Sequence, residues 1–558
     1  MPVAKYNKAY LMKCLGFNVG EDELARNIDN MGLNVEEEDK KELTLEFQAN
    51  RPDLLSTVGL ARAIRYFMRR SRSFAYEVSP ARDGDVINVG KHVAEVRPYI
   101  AALRVSNMTL NEEQLRDIIN LTERVSENYG RHREKIAMGL HDLRNVKPPF
   151  YYDAYEDEEF VPLNRRKPSK YSEVVKTEKK GKKYGALGSS EARYVALKDT
   201  KGTMSLIPIL NSDRTKLSVD TKEMLLDVTG RNREVIEKMV DMLAAEFIDM
   251  GYAVSAVRVN YGTRSAELPR MESKTIEVPL SQLDNELGVT IGFNNVITLA
   301  NKMGYEAALV GRRVRFKTPP YRLDIINEQD VIEDVAVAYG YDYIQPLALP
   351  ATQQGSTEAK TKVAERMSDI MVGLGFDEAM NSYLTNEENN FKRMRSAVGD
   401  SHIKIENPKA STIGMLRTWL LPSLLKNVGL SMHDKLPIRL FELDIAFEFL
   451  SNAPQESYHL AAVACYSQAN FNDIKAVFEG FARKSGMNYS IAKGSHPSFI
   501  EGRCATVVVG KKNIGFMGEI HPEVLTSFGI EEPVVSFEID LTGWFNVGEN
   551  ETEEGNGA

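Results

Sequence analysis

The sequence predicts a multidomain chain built from α/β and α+β modules. Three observations predict it. The chain has 558 residues, 43% of them hydrophobic, which at ~150 residues per domain suggests about four domains with a core each. Apolar residues recur at helical spacing in some stretches and at strand spacing in others. Turn and linker signals, at Lys147-Pro148-Pro149, at Pro319-Pro320 and from Pro350 through the polar Gln353 to Thr361, cut that pattern into segments.

Segment 1–85 predicts a small α+β domain. Its strand-like LTLEF (Leu43 to Phe47) follows the polar Glu36 to Glu42, and the turn Asn50-Arg51-Pro52-Asp53 comes next. Leu54, Val58, Ala61, Ile64 and Met68 then keep helical spacing. Asp53 is placed to cap that helix, and Arg69, Arg70 and Arg72 to complement its C-terminal end. Segment 86–270 has a helical pattern over Glu112 to Tyr129, an acidic cluster at Asp153 and Glu156 to Glu159, and a basic run from Asn164 to Gly185. That run holds nine Lys/Arg against two Glu, a local charge of +7. It closes with Asp227-Val228-Thr229-Gly230 and a helix on Val235, Met239, Val240, Leu243 and Phe247.

Segment 271–348 shows two helical patterns around the strand-like VRFKT (Val314 to Thr318) and predicts a compact helical module. Segment 349–545 alternates helical and strand patterns in one α/β domain. The acidic end, 546–558, has few apolar residues and is expected to be disordered.

Composition excludes several classes. No apolar stretch approaches the roughly 18–20 residues of a membrane span. The first residues interleave Lys5, Lys8 and Lys13 with short apolar runs, unlike a signal peptide. Three scattered cysteines, Cys14, Cys465 and Cys504, cannot build a disulfide framework, which points to reducing cytoplasm. With 70 basic against 79 acidic residues and a net charge of −9, the chain is no general polyanion binder, although local patches can still meet nucleic acid. There is no P-loop, no GxGxxG after a strand and no HExxH.

Four features could carry chemistry. In PPYRLDIINEQDVIEDVAVAYGYDYI (Pro319 to Ile344), a helix beginning near Gln329 sets Asp330, Glu333 and Asp334 at i, i+3 and i+4, with Asp324 just ahead of it. Like charges at that spacing cost about 0.2–0.5 kcal/mol per pair unless neutralised. Hard oxygen ligands suit Mg²⁺; a solvated or ion-paired acidic face suits the same spacing. Asp227 and Thr229 either cap the next helix or present a carboxylate and a hydroxyl to a substrate OH. His132, Lys135, His141 and Asp142 bring ionisable groups together without a Ser or Cys nucleophile motif, so a structural histidine is the better account. The basic run is either a phosphate-contacting surface or a solvated loop; only Tyr171 and Tyr184 lie in or beside it, so base stacking is not indicated.

Several ordered stretches together resemble one family. They are NRPDLLSTVGLARAIR (Asn50 to Arg65), KIAMGLHDL (Lys135 to Leu143), PILNSDRTKLSVDTKEMLLDVTG (Pro208 to Gly230), the Pro319 to Ile344 stretch, LRTWLLPSLL (Leu416 to Leu425), HPSFIEGR (His496 to Arg503) and GEIHPEVL (Gly518 to Leu525). The sequence resembles the phenylalanyl-tRNA synthetase β subunit of archaeal and eukaryotic-cytosolic type, over nearly its whole length.

That resemblance implies a cytoplasmic α2β2 heterotetramer that joins L-phenylalanine to tRNA(Phe) with ATP, the synthetic site lying on the α subunit. It makes 86–270 an editing module that hydrolyses mischarged Tyr-tRNA(Phe), with Asp227, Thr229 and Ser205 as site residues. An apolar pocket rejects an analogue with one added hydroxyl only about a hundredfold, so a second, hydrolytic site is needed. It makes 271–348 the module whose Asp324, Asp330, Glu333 and Asp334 hold magnesium, and 349–545 an inactive class II synthetase-like antiparallel-sheet domain. The sequence has no glycine-rich GxGxGxxR stretch, and Arg439 and Glu442 in RLFE lack the spacing of an RxE motif and read as a core strand. A non-editing tRNA-binding scaffold subunit and a stand-alone trans-editing hydrolase are the alternatives.

Overall fold

The first residues build an antiparallel sheet from Val3–Asn7, Glu42–Glu46 and Asn34–Glu38, in that spatial order. In the first two strands every second residue or more is buried, whereas Asn34–Glu38 is an exposed edge. The computed structural model describes residues 3–39, 41–69, 74–190, 193–348 and 355–545. Arg70, Arg72, residues 349–354 at the start of the expected linker and the acidic end lie outside them. The chain divides into two compact units, Met1–Ala348 and Leu349–Ala558.

The helix after the first turn runs Thr57–Phe67. Its cap is Ser56, whose hydroxyl accepts from the Gly59 amide at 2.8 Å, and not Asp53. Asp53 sits in a separate 3-10 turn, Pro52–Leu54, where Arg51 claims both its oxygens at 2.9 Å. A nearby guanidinium outbids a backbone amide for a buried carboxylate.

In 86–270 the functional elements are strand β1 (Tyr99–Ser106), helix α1 (Glu112–Glu127), strand β2 (Ile136–Asp142), helix α2 (Lys179–Tyr184), strands β3 (Gly202–Leu206), β4 (Leu210–Asn211) and β5 (Met224–Gly230), and helix α3 (Arg233–Asp249). They belong to an eleven-stranded sheet in which β4, β3, Arg193–Asp199, Phe150–Tyr155, Val86–Val89, Ala253–Tyr261, β1, β5 and β2 follow one another. Neighbours are antiparallel except where Val86–Val89 meets its two partners. The sheet curls until its edge strands meet: the Asn211 side chain on β4 donates to the Leu140 carbonyl on β2 at 2.9 Å.

Strand alternation sorts β5 between two cores. Met224, Leu226 and Val228 face α1 and α3 in a core that also takes in Leu11, Ile28 and Leu60 of the first segment. Leu225 faces the opposite core with Phe150, Val195 and Val259. Asp227 and Thr229 follow Leu225 at two-residue intervals and share its face. The first segment thus shares a core with the large sheet, within one unit.

Segment 271–348 is α+β, not helical. Thr275–Pro279, Arg313–Lys317 and Glu306–Val310 form an antiparallel sheet beside helices Leu280–Leu287, Phe293–Lys302 and α4 (Glu328–Tyr339). Of its three strands the sequence shows only Arg313–Lys317, as the strand-like VRFKT; Thr275–Pro279 buries two side chains and Glu306–Val310 none.

The second unit holds a seven-stranded sheet. Its order is Asp377–Glu378, Ile438–Leu450, Ala453–Cys465, Val534–Asp540, Lys512–Ile520, Phe499–Val509 and Ser490–Lys493, with only the first pair parallel. Helices Ala359–Gly373 and Phe471–Ser485 cover one face, and Leu421–Leu430 and Pro522–Ser527 the other. Among the described residues, no helix is long and apolar enough to cross a membrane.

Candidate functional site

Where the curled sheet closes, α1, β2, β3, β4 and β5 enclose a cavity of about 370 Å³, within the range of small-ligand sites. Asp227, Thr229 and Ser205 all line it. Its walls are largely aliphatic, with Ile119, Met138, Leu140, Ile207 and Leu217 among them, while Glu123, Arg133, Lys180 and Lys216 bring charge.

Each polar group there is held. Asp227 lies on β5 opposite Gly139 on β2 and is 1% exposed. Its Oδ2 accepts from His141 Nε2 at 2.9 Å, and the other ring nitrogen meets Thr215 Oγ1 at 3.1 Å. Because a carboxylate only accepts, His141 carries its proton on Nε2. His141 is fully buried and does not line the cavity; it orients the carboxylate that does. Gly139 makes room for that carboxylate: a Cβ there would lie 2.2 Å from Asp227 Oδ2 and 2.9 Å from His141 Nε2.

Thr229 caps no helix, since the helix cap is Asn232. Its hydroxyl accepts from Arg97 Nε at 2.9 Å and its carbonyl from Arg97 Nη2 at 2.7 Å. Arg97 also donates to the Arg133 carbonyl and is wholly buried. Burial, with its hydrogen bonds going to a hydroxyl and carbonyls, brings its guanidinium down to about 10. Ser205 donates to Asn211 Oδ1 at 2.9 Å, which links β3 to the β4–β2 closure. At the rim, Glu123 takes Lys180 and Arg133 at 2.6 Å each. Burial works to raise the Glu123 carboxyl, but these two cations outweigh it and hold it below the usual carboxylate range.

The remaining members of the His132–Asp142 stretch disperse. His132 is exposed and pairs with Glu127, Lys135 lies over the Tyr129 ring, and Asp142 accepts from Thr221 and the Arg144 amide. Arg97, Asn211 and Gly139 carry no signal of this role in the sequence, beyond Gly139 being a residue without a side chain in a strand.

The four carboxylates of 319–344 do not gather. Arg322 Nη2 lies 2.7 Å from Asp324 and 2.7 Å from Asp334, and Tyr305 donates to Asp334 Oδ2. Burial opposes the charge on Arg322, yet the two carboxylates keep it firmly protonated. Asp330 turns back to the start of α4 and accepts from the Ile326 and Asn327 amides, at 2.6 and 2.9 Å, completing a capping box. Glu333 is exposed. Among the described residues no three acidic or imidazole side chains converge as metal ligands. As arranged, these residues do not fit a shared magnesium ion, because a guanidinium already occupies the cation position between two of them.

In the second unit Arg417 is 1% exposed and spent on Glu442 at 2.5 Å, Asp444 at 2.9 Å and the Ile445 carbonyl. Glu442 is correspondingly committed, on the core strand Ile438–Leu450.

Three family models match the chain: the Phe-tRNA synthetase beta subunit B1 domain over 1–70, the tRNA synthetase B5 domain over 276–341 and the phenylalanyl tRNA synthetase beta chain CLM domain over 346–541. The phenylalanine–tRNA ligase beta subunit of Methanococcoides burtonii is 32% identical over 94% of this chain and 96% of its own length. That of Methanocaldococcus jannaschii is 32% identical over 97% of this chain and all of its own. A solved N-terminal fragment of the phenylalanyl-tRNA synthetase beta subunit from Pyrococcus horikoshii covers 61% of this chain with TM-score 0.58 and 30% identity.

Proposed function

Because the chain belongs to the phenylalanine–tRNA ligase β-subunit family, we propose that it serves in an α/β complex charging tRNA(Phe) and that its cavity hydrolyses mischarged Tyr-tRNA(Phe). One observation carries the second half: Asp227, Thr229 and Ser205 line a single apolar-walled cavity. The tyrosyl ring fits among aliphatic side chains, and its phenol donates to the Asp227 oxygen that His141 leaves unclaimed. A phenylalanyl ring would bury Asp227 without that partner. A site built to bond a substrate OH rejects the analogue lacking it by about 10⁴–10⁵, so correctly charged tRNA is spared. Water attacks the ester carbonyl, the bond to the ribose oxygen breaks, and tyrosine and tRNA leave. Among the described residues the cavity lining holds one acid besides Asp227, Glu123, already paired with two cations, so the water is held by backbone and substrate groups rather than by a dedicated base.

The synthetic reaction, with its ATP, L-phenylalanine and magnesium, belongs to the α partner in a cytoplasmic α2β2 assembly. The internal pairing of Arg417 supports this, since it leaves that guanidinium unavailable to a nucleotide phosphate.

The purified chain, incubated with Tyr-tRNA(Phe), should release tyrosine, spare Phe-tRNA(Phe) and lose the activity in Asp227→Ala. No tyrosine release, with or without the α subunit, would sink the hydrolytic assignment.

A further inference from the structure

The chain is acidic overall, yet residues 164–185 carry +7. That run is no loose loop. It folds into a short hairpin, Glu159–Phe160 with Ser169–Lys170, then helix Tyr171–Thr177 and α2. Tyr171 is fully buried and bonds Thr203 on β3 at 2.5 Å; Tyr184 donates to Glu127 on α1 at 2.5 Å. Ser172 is pinned through its amide and hydroxyl to Asp157. The platform is therefore fixed against the walls of the cavity, and two of its residues, Asn164 and Lys180, line the cavity itself.

The charges on this platform divide. Arg165 pairs with Glu178, Lys180 with Glu123 and Lys183 with Glu127. Arg166, Lys167, Lys170, Lys176, Lys179 and Lys182 are exposed, and among the described residues none has an acid within ion-pair distance. Lys170 stands opposite Glu159 in the hairpin and, with Lys176, acts on the nearby Asp157 carboxyl; the other four, Arg166, Lys167, Lys179 and Lys182, make a local positive field that a protein of net charge −9 does not carry generally. Both aromatic side chains of the run are turned inward, so nothing here stacks on bases. Exposed lysines without aromatics fit phosphates and no particular sequence.

We propose that the exposed face of residues 166–182 binds the sugar–phosphate backbone of the RNA strand whose aminoacylated end enters the cavity, an assignment that rests on the hydrolytic reading of that cavity. The ester end is small and the rest of the substrate is polyanionic, so its phosphates must leave past the rim. Asn164 and Lys180 line the cavity, and Arg166, Lys167, Lys179 and Lys182 lie within three residues of one or the other along the chain.

The test uses the full chain and the triple variant K167E/K179E/K182E, none of whose sites lines the cavity. The first probe is an uncharged acceptor-stem hairpin RNA ending in CCA, followed by fluorescence anisotropy across a salt series. The variant should bind at least tenfold more weakly at low salt. Its log–log salt slope should be shallower by about 2–3, since each phosphate no longer neutralised removes about 0.7–0.9. The second probe compares tyrosylated hairpin with 2′(3′)-O-tyrosyl-adenosine, an ester without phosphates. The variant should raise KM for the hairpin ester while kcat holds, and the defect should not extend to tyrosyl-adenosine. Unchanged RNA affinity and salt slope would overturn the proposal. Should the parent chain hydrolyse neither ester, the hydrolytic reading fails by itself, and the binding series still decides the surface.

Discussion

Two clusters of acidic and polar residues stand out in the sequence, and the fold treats them in opposite ways. On β5, Asp227 and Thr229 turn to one face and, with Ser205 from β3, line one cavity. Around α4, Asp324, Asp330, Glu333 and Asp334 are just as close in sequence, yet they end in three environments. The difference is one of geometry. A strand repeats every two residues, so Asp227 and Thr229 share one face, and the closure of the sheet edges brings Ser205 on β3 round to them. A helix spreads i, i+3 and i+4 over an arc, and burial cuts that arc: Asp334 falls inside and Glu333 outside. Each carboxylate is then satisfied by what lies nearest, a guanidinium, two amides or water. Local neutralisation precedes any ligand.

The comparison can be broken most sharply at Arg322. Removing it in Arg322→Leu leaves two buried carboxylates without their cation, and breaking such a set costs about 3–5 kcal/mol. Urea unfolding should show that loss; a change below about 1 kcal/mol would mean that something else neutralises Asp324 and Asp334. On the strand side, Gly139→Ala places a methyl 2.2 Å from Asp227 Oδ2. Tyrosyl-tRNA hydrolysis should fall about a hundredfold, near 2.7 kcal/mol of lost transition-state stabilisation at 1.36 per factor of ten. Normal activity in Gly139→Ala would show that the Asp227 position is not critical. The smallest effects separate the outer carboxylates of α4. Asp330→Ala loses its part of the capping box and about 1 kcal/mol, whereas Glu333→Ala should stay within about 0.5 kcal/mol. Equal effects would mean that the two share a role after all.

Element types were legible where burial imposed a clear period. The helices at Glu112–Glu127 and Arg233–Asp249 follow from apolar spacing, and Arg439 and Glu442, which lack the spacing of an RxE motif, lie on a strand as expected. In 271–348 the strand at Val314 and Phe316 was legible, but its two neighbours were not, because Thr275–Pro279 buries only Ile276 and Val278 and Glu306–Val310 buries none. The Asp53 cap failed for a local reason: Arg51, two residues before it, was the stronger partner. In the cavity, Asp227 and Thr229 were visible as residues but their supports were not. Arg97 meets Thr229 across 132 positions and His141 meets Asp227 across 86, separations at which no periodicity operates.

By itself, then, the sequence determined the elements with strong apolar period, the ordered stretches that mark the family, and the concentration of positive charge in 164–185. Those are properties of short spans, fixed by side-chain chemistry and local geometry. The tertiary structure decided which polar groups stand together. It closed the sheet edges through Asn211 and Leu140, gave Asp227 its histidine and Thr229 its arginine, and set Arg322 where a metal was expected. A buried charge takes the nearest partner that folding supplies, and that partner is a fact of distance in space rather than distance along the chain.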